Sequence, residues 1–112
     1  RHVSDARVQA AKQQIQALEL ALDSYAADVG AYPSTAEGLQ VLRAPPASIH
    51  SDRWRGPYLR RAVPEDHWGR PYIYLYPGEV NETLFDLGTL GRDGLPGGVG
   101  EDADVTNWSE DR

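Results

Sequence analysis

Val8, Ala11, Ile15, Leu18, Leu22, Tyr25 and Val29 recur at steps of three and four, the spacing that aligns side chains on one stripe of an α-helix. Lys12, Gln13, Gln14, Gln16, Glu19 and Asp23 fill positions between them, so the other face is polar. Ser4 is a suitable N-cap, Asp5 suits the positive end of the helix dipole, and Gly30 tolerates the left-handed conformation that commonly ends a helix. The pattern predicts a helix over residues 5–29. About three heptads favour a core-facing helix over a coiled-coil seam.

Tyr32-Pro33 is followed by Ser34-Thr35-Ala36-Glu37, a capping box in which Ser34 and Glu37 satisfy each other's backbone donors. Leu39, Val41 and Leu42 then give a short apolar face that Pro45-Pro46 closes, predicting a short second helix. Residues 47–66 are rich in Pro, Arg and Trp without a sustained period and read as a long surface excursion. Arg70-Pro71-Tyr72-Ile73-Tyr74-Leu75-Tyr76 alternates Tyr with Ile and Leu and reads as a strand. Pro77-Gly78 turns the chain, and Thr83-Leu84-Phe85-Asp86-Leu87-Gly88 reads as the second strand of an antiparallel hairpin. Everything beyond Leu90 is turn chemistry, with Gly91, Gly94, Gly97, Gly98 and Gly100 around Pro96. The fold class is therefore α+β: a long N-terminal helix packed on a small antiparallel sheet. One domain over residues 1–112 divides into a helix (1–30), a short helix and variable loop region (31–69), a β-hairpin (70–88), and a glycine-rich loop with the C-terminal segment (89–112).

The charge changes the picture of the last segment. Of a net −6, residues 93–112 hold six acidic residues against one basic, while the other 92 residues hold 11 acidic and 10 basic. Nucleic acid is an unsuitable partner, because the basic residues offer only the interrupted cluster Arg53, Arg55, Arg60 and Arg61. The absence of Cys excludes disulfides, thiolate zinc sites and a cysteine nucleophile. No apolar run approaches the roughly 18 residues that span a bilayer. A chain that begins at Arg1 and contains no Met is expected to have lost an upstream segment. No enzyme is expected: Glu65, Asp66 and His67 sit in a Pro-Glu-Asp-His-Trp-Gly stretch that reads as a turn, and no serine has nucleophile-elbow glycines around it.

Asp93, Asp102 and Asp104 among glycines supply what a hard cation needs, carboxylate oxygens and backbone free to turn its carbonyls inward. Calcium, with six to eight oxygen ligands at flexible geometry, suits them better than magnesium. An EF-hand is excluded, because its third, fifth and twelfth positions would be Leu95, Gly97 and Asp104. Gly97-Gly98-Val99-Gly100-Glu101-Asp102 matches the start of a β-roll nonapeptide, but the chain has a single copy where that fold stacks many. The other reading of these residues is a solvated acidic tail, against which stand Val105 and Trp108.

The chain carries, in order, the amphipathic helix, Ala31-Tyr32-Pro33-Ser34-Thr35 with Glu37-Gly38-Leu39, Asp66-His67-Trp68-Gly69-Arg70-Pro71-Tyr72, Tyr74-Leu75-Tyr76-Pro77-Gly78, Phe85-Asp86-Leu87, Leu90-Gly91-Arg92-Asp93-Gly94 and Asp102-Ala103-Asp104-Val105-Thr106-Asn107-Trp108. Nearly the whole length resembles the major pseudopilins of bacterial type II secretion. His67 stands where that family usually has Pro, and Gly88-Thr89 where it often has Tyr-Ser. The resemblance implies a type IV pilin-like fold and a structural calcium ion held by the side chains of Asp93, Asp102 and Asp104 and the carbonyls of Leu90 and Val99, with Glu101 a further candidate. It also implies a homopolymer in a helical filament, the periplasmic pseudopilus that drives export of folded proteins through the outer membrane. Implied partners are minor pseudopilins and the inner-membrane assembly platform, with the full-length protein anchored in the inner membrane by an upstream apolar helix before assembly. The competing expectation is a calcium-dependent adhesion or carbohydrate-binding module that uses Trp54, Trp68 and the tyrosines as a stacking surface.

Overall fold

The computed structural model describes residues 3–47 and 51–108, and Glu110 and Asp111 of the acidic segment lie outside them. Helix α1 runs Val3–Val29, so Ser4 lies inside it and the expected start at Asp5, with Ser4 as cap, falls two residues late. Its end is as expected: Gly30 takes φ 104° and donates its amide to the Ala26 carbonyl at 2.8 Å. The stripe faces inward, with Ala11, Ile15, Leu18, Leu22, Tyr25 and Val29 all buried.

That stripe packs on an antiparallel sheet of three short strands, β1 (Ile73–Leu75), β2 (Asp86–Thr89) and β3 (Val105–Thr106), in the order β1-β2-β3. The hairpin forms with Ile73 opposite Gly88 and Leu75 opposite Asp86, although both strands are shorter than their sequence patterns. Tyr72 and Tyr74 are the buried face and join Phe85, Leu87 and Val105 in the core against α1. The Tyr74 hydroxyl donates to the Pro33 carbonyl at 2.6 Å, and burial pushes its pKa well above the ordinary tyrosine range.

Strand β3 corrects the expectation of turns throughout the tail. Its pairing to β2 (Gly88 with Thr106, Thr89 with Val105) is continued by Asn107. The Asn107 amide donates to the Leu87 carbonyl, its Oδ1 accepts the Leu87 amide, and its Nδ2 donates to the Phe85 carbonyl. Beside this pairing there is no room for a side chain at Gly88, where a Cβ would lie 2.7 Å from Thr106 Cγ2 and 2.8 Å from the Val105 carbonyl oxygen. Gly88→Ala is expected to cost about 1–3 kcal/mol, the usual penalty of overpacking, measured by denaturant unfolding.

The expected second helix is also different. The capping box closes as predicted, with the Ser34 amide donating to Glu37 at 3.0 Å and the Glu37 amide to Ser34 Oγ at 3.1 Å. Gly38 then adopts φ 69°, which interrupts any α-helix, and only a 3₁₀ turn at Leu39–Leu42 follows. The described part of the surface excursion is tied down: Trp54 Nε1 donates to the Val41 carbonyl at 2.7 Å and the Tyr58 hydroxyl to Asp28 at 2.7 Å.

Candidate functional site: the loop after the central strand

The acidic glycine loop leaves the end of β2, and a buried polar network fixes where it starts. Asp66 Oδ1 accepts the amides of Trp68 and Arg70, both at 2.9 Å, and Gly69 completes the turn at φ 83°. His67, in place of the family's Pro, leaves that turn closed. The second carboxylate oxygen of Asp66 accepts the Thr89 hydroxyl, and Thr89 Oγ1 in turn accepts the Gly91 amide at 3.2 Å. From the same turn the Arg70 guanidinium donates to the carbonyls of Gly91 and Arg92 at 2.6 and 2.7 Å. Glu65, Asp66 and His67 thus serve as turn and anchor.

Each expected side-chain ligand has a defined place in the loop. Asp93 is exposed and its Oδ1 accepts the Leu95 amide at 3.1 Å, a local turn of the kind short acidic side chains make. Asp102 follows Val99 in a 3₁₀ turn (Gly100–Asp102) and is held on both oxygens by Arg92, Nε to Oδ1 at 3.0 Å and Nη2 to Oδ2 at 3.2 Å. Asp104 reaches back so that Oδ2 accepts the Gly97 amide at 3.1 Å, while its buried Oδ1 has no hydrogen-bond partner among the described residues. The Val99 carbonyl accepts the Asp102 amide at 3.0 Å and, with two lone pairs, retains capacity for a second partner. Leu90 is half-buried at the loop's entrance. Glu101 belongs to the 3₁₀ turn by its backbone, and its side chain lies outside the described residues. Gly98 is required twice over, by φ 92° and by a Cβ position 2.5 Å from the Asp102 carbonyl oxygen.

The loop is therefore closed by Asp102 and Asp104, while Asp93 turns its opening side. Among the described residues no three acidic or histidine side chains converge on one point. A buried carboxylate oxygen without a donor is nonetheless a fit to a cation, because leaving it unpaired is costly. Sequence reasoning missed Arg70, Thr89 and Arg92 as parts of this site. Arg92 adjoins Asp93 in sequence, but only the fold reveals that it reaches Asp102.

A family profile described as type II secretion system (T2SS), protein G, matches residues 1–108. The chain belongs to the type II secretion system protein G family. The type II secretion system core protein G of Pseudomonas aeruginosa is 43% identical over 104 residues, spanning 92% of this chain and 72% of that protein. Its counterpart in Vibrio cholerae is 43% identical over 102 residues, spanning 90% and 68%. The crystal structure of the major pseudopilin from the type 2 secretion system of enterohaemorrhagic Escherichia coli superposes with a TM-score of 0.73 at 36% identity, over 93% of this chain and 88% of that one. This is a family of structural pseudopilins of the secretion machinery, not of enzymes. The helix-on-sheet fold of the chain is that of a solved major pseudopilin. Among the described residues no helix is long and apolar enough to cross a membrane. Several of the aromatic residues are packing elements: Tyr25, Tyr72 and Tyr74 are buried, and Trp54 meets Tyr58 edge-on at 5.7 Å. That arrangement offers little for the stacking surface of a carbohydrate-binding module.

Proposed function

We propose that the protein is a building block of the periplasmic pseudopilus, polymerising head to tail into a helical filament that drives export of folded proteins across the outer membrane. The family match along residues 1–108 carries this reading. A heterologous interface that does not close on itself generates a filament rather than a ring. Minor pseudopilins and an inner-membrane assembly platform are the partners, and the full-length protein is anchored in the inner membrane through an upstream apolar helix before assembly. Deleting the gene and restoring it in full length tests the reading. Loss of secretion and of filaments on deletion, and their return on restoration, is the expected result; intact secretion without the protein overturns it.

A structural calcium ion completes the subunit in this reading. Asp93, Asp102 and Asp104 would hold it with the carbonyls of Leu90 and Val99, and the ion would neutralise carboxylates that otherwise repel one another. The buried, unpartnered Oδ1 of Asp104 is the observation that supports it. A ligand that binds only the folded state at tenfold its Kd adds about 1.4 kcal/mol. Chelation should therefore lower Tm by about 5–10 °C, and calcium should restore it better than magnesium. Asp104→Ala should melt like the chelated wild type and no longer respond to calcium. Identical melting with and without chelator, together with no calorimetric binding at millimolar calcium, would leave residues 90–104 an acidic loop.

A further inference from the structure

We propose that Arg92 is a built-in competitor for the calcium ion, so that the contact between Arg92 and Asp102 sets the calcium affinity of the loop. The proposal rests on the calcium reading above and adds to it a residue of opposite charge.

The three carboxylates of the loop are unequally committed. Asp93 and Asp104 accept backbone amides, from Leu95 and Gly97, and Asp104 Oδ1 has no hydrogen-bond partner among the described residues. Asp102 alone is gripped on both oxygens by a guanidinium, with Nε to Oδ1 at 3.0 Å and Nη2 to Oδ2 at 3.2 Å. A two-pronged contact of this kind is the geometrically specific form of a carboxylate–arginine pair and fixes the plane of the carboxylate. A divalent cation that takes Asp102 as ligand must open that fork, or else sit beside a full positive charge that repels it. The repulsion favours opening.

The exposure of Arg92 gives the fork room to open. The Arg92 side chain is 60% exposed, against 30% for that of Asp102, so the guanidinium can move into water. Its backbone is held separately, because the Arg92 carbonyl accepts Arg70 Nη2 at 2.7 Å. Exchange of guanidinium for calcium is therefore a side-chain movement. It makes the loop less avid than its count of carboxylates suggests, and it lets Arg92 neutralise Asp102 when calcium is scarce.

Titration calorimetry of calcium into the folded protein tests this with Arg92→Gln and Arg92→Lys. An exposed ion pair has only a small net strength, so Arg92→Gln should tighten the Kd for calcium by about three- to fivefold. Arg92→Lys keeps the charge without the fork and should fall between Gln and wild type. Hydrogen exchange over residues 90–104 should be faster in Arg92→Gln than in wild type with chelator present, and equal to wild type in saturating calcium. An unchanged or weaker Kd in Arg92→Gln overturns the proposal, as does a Lys variant indistinguishable from wild type, which would reduce the effect to net charge. An exchange difference that persists in calcium also overturns it, making Arg92 a plain structural contact. Failure of both wild type and Arg92→Gln, each folded, to bind calcium fails the underlying reading instead, and is told apart because there is then no Kd to compare.

Discussion

Leu22→Ala should be destabilised by about 2–5 kcal/mol, the range measured when a fully buried leucine is cut back to its Cβ. Leu22 is 0% exposed in the middle of the α1 stripe, one turn from Leu18 and next to Tyr25 along the same face. The core is small, with the helix contacting β2, β3 and the 3₁₀ turns at Leu39–Leu42, Ser51–Arg53 and Gly100–Asp102. Where the loss falls within that range depends on how far the neighbouring side chains relax into the gap. Since about 1 kcal/mol shifts Tm by 4–8 °C in a domain of this size, the loss should be at least about 8 °C. Leu20 on the same helix is the internal control: it is 69% exposed, and Leu20→Ala should change stability by no more than about 0.5 kcal/mol. Thermal and urea unfolding of both variants would check the assignment. Equal stability of Leu22→Ala and Leu20→Ala would mean that the stripe does not form the core.

The helix was legible in the sequence because its signal is local and repeated. Seven apolar residues at a 3.6-residue period share one face of a helix, and six of them are buried there, with Val8 partly buried. The hairpin was legible for a similar reason, since alternating tyrosines and a Pro-Gly turn lie within one short stretch. The elements that were misread depend on single backbone positions or on distant partners. A positive φ at Gly38 converts an apparent helix into a capped turn and a 3₁₀ turn. Strand β3 is two residues long and is secured by Asn107, whose side chain bonds Phe85 and Leu87 some 20 residues earlier. The candidate site divides in the same way. Asp93, Asp102 and Asp104 announce themselves as oxygen donors among glycines, whereas the groups that position or neutralise them act across the fold. Arg70 grips the carbonyls of Gly91 and Arg92, and Arg92 grips Asp102 ten residues on. No periodicity encodes those distances.

Asp86→Ala should be the other severe substitution, and it should carry a pH signature. Asp86 is 1% exposed at the start of β2, and its carboxylate organises the hairpin turn. Oδ2 accepts the amides of Glu79 and Val80 at 2.8 and 3.0 Å, and Oδ1 accepts the amide of Asn81 at 2.9 Å. Gly78 is needed for this approach, because a Cβ there would lie 2.4 Å from Oδ1. Removing the carboxylate strands three donors at once. They are only partly buried and regain some water, so the expected cost is about 2–4 kcal/mol. Asp86→Asn retains one acceptor oxygen but turns a donor toward a donor, and should cost about 1–3 kcal/mol. Burial pushes the Asp86 pKa up, but the three amides of Val80, Asn81 and Glu79 outweigh it and hold the carboxyl below its ordinary 3.8. The unfolded chain therefore binds the proton more readily than the folded one, and stability rises with pH across the interval between the two pKa values. The contribution is fully present above pH 3.8 and is lost as pH falls through the lower, folded value. The stability gap between wild type and Asp86→Asn, measured by urea unfolding, should stay constant from pH 7 to about 5 and close below about 4. A gap that keeps its size at the lowest pH at which wild type still folds would assign the turn to side-chain shape rather than to the ionised carboxylate.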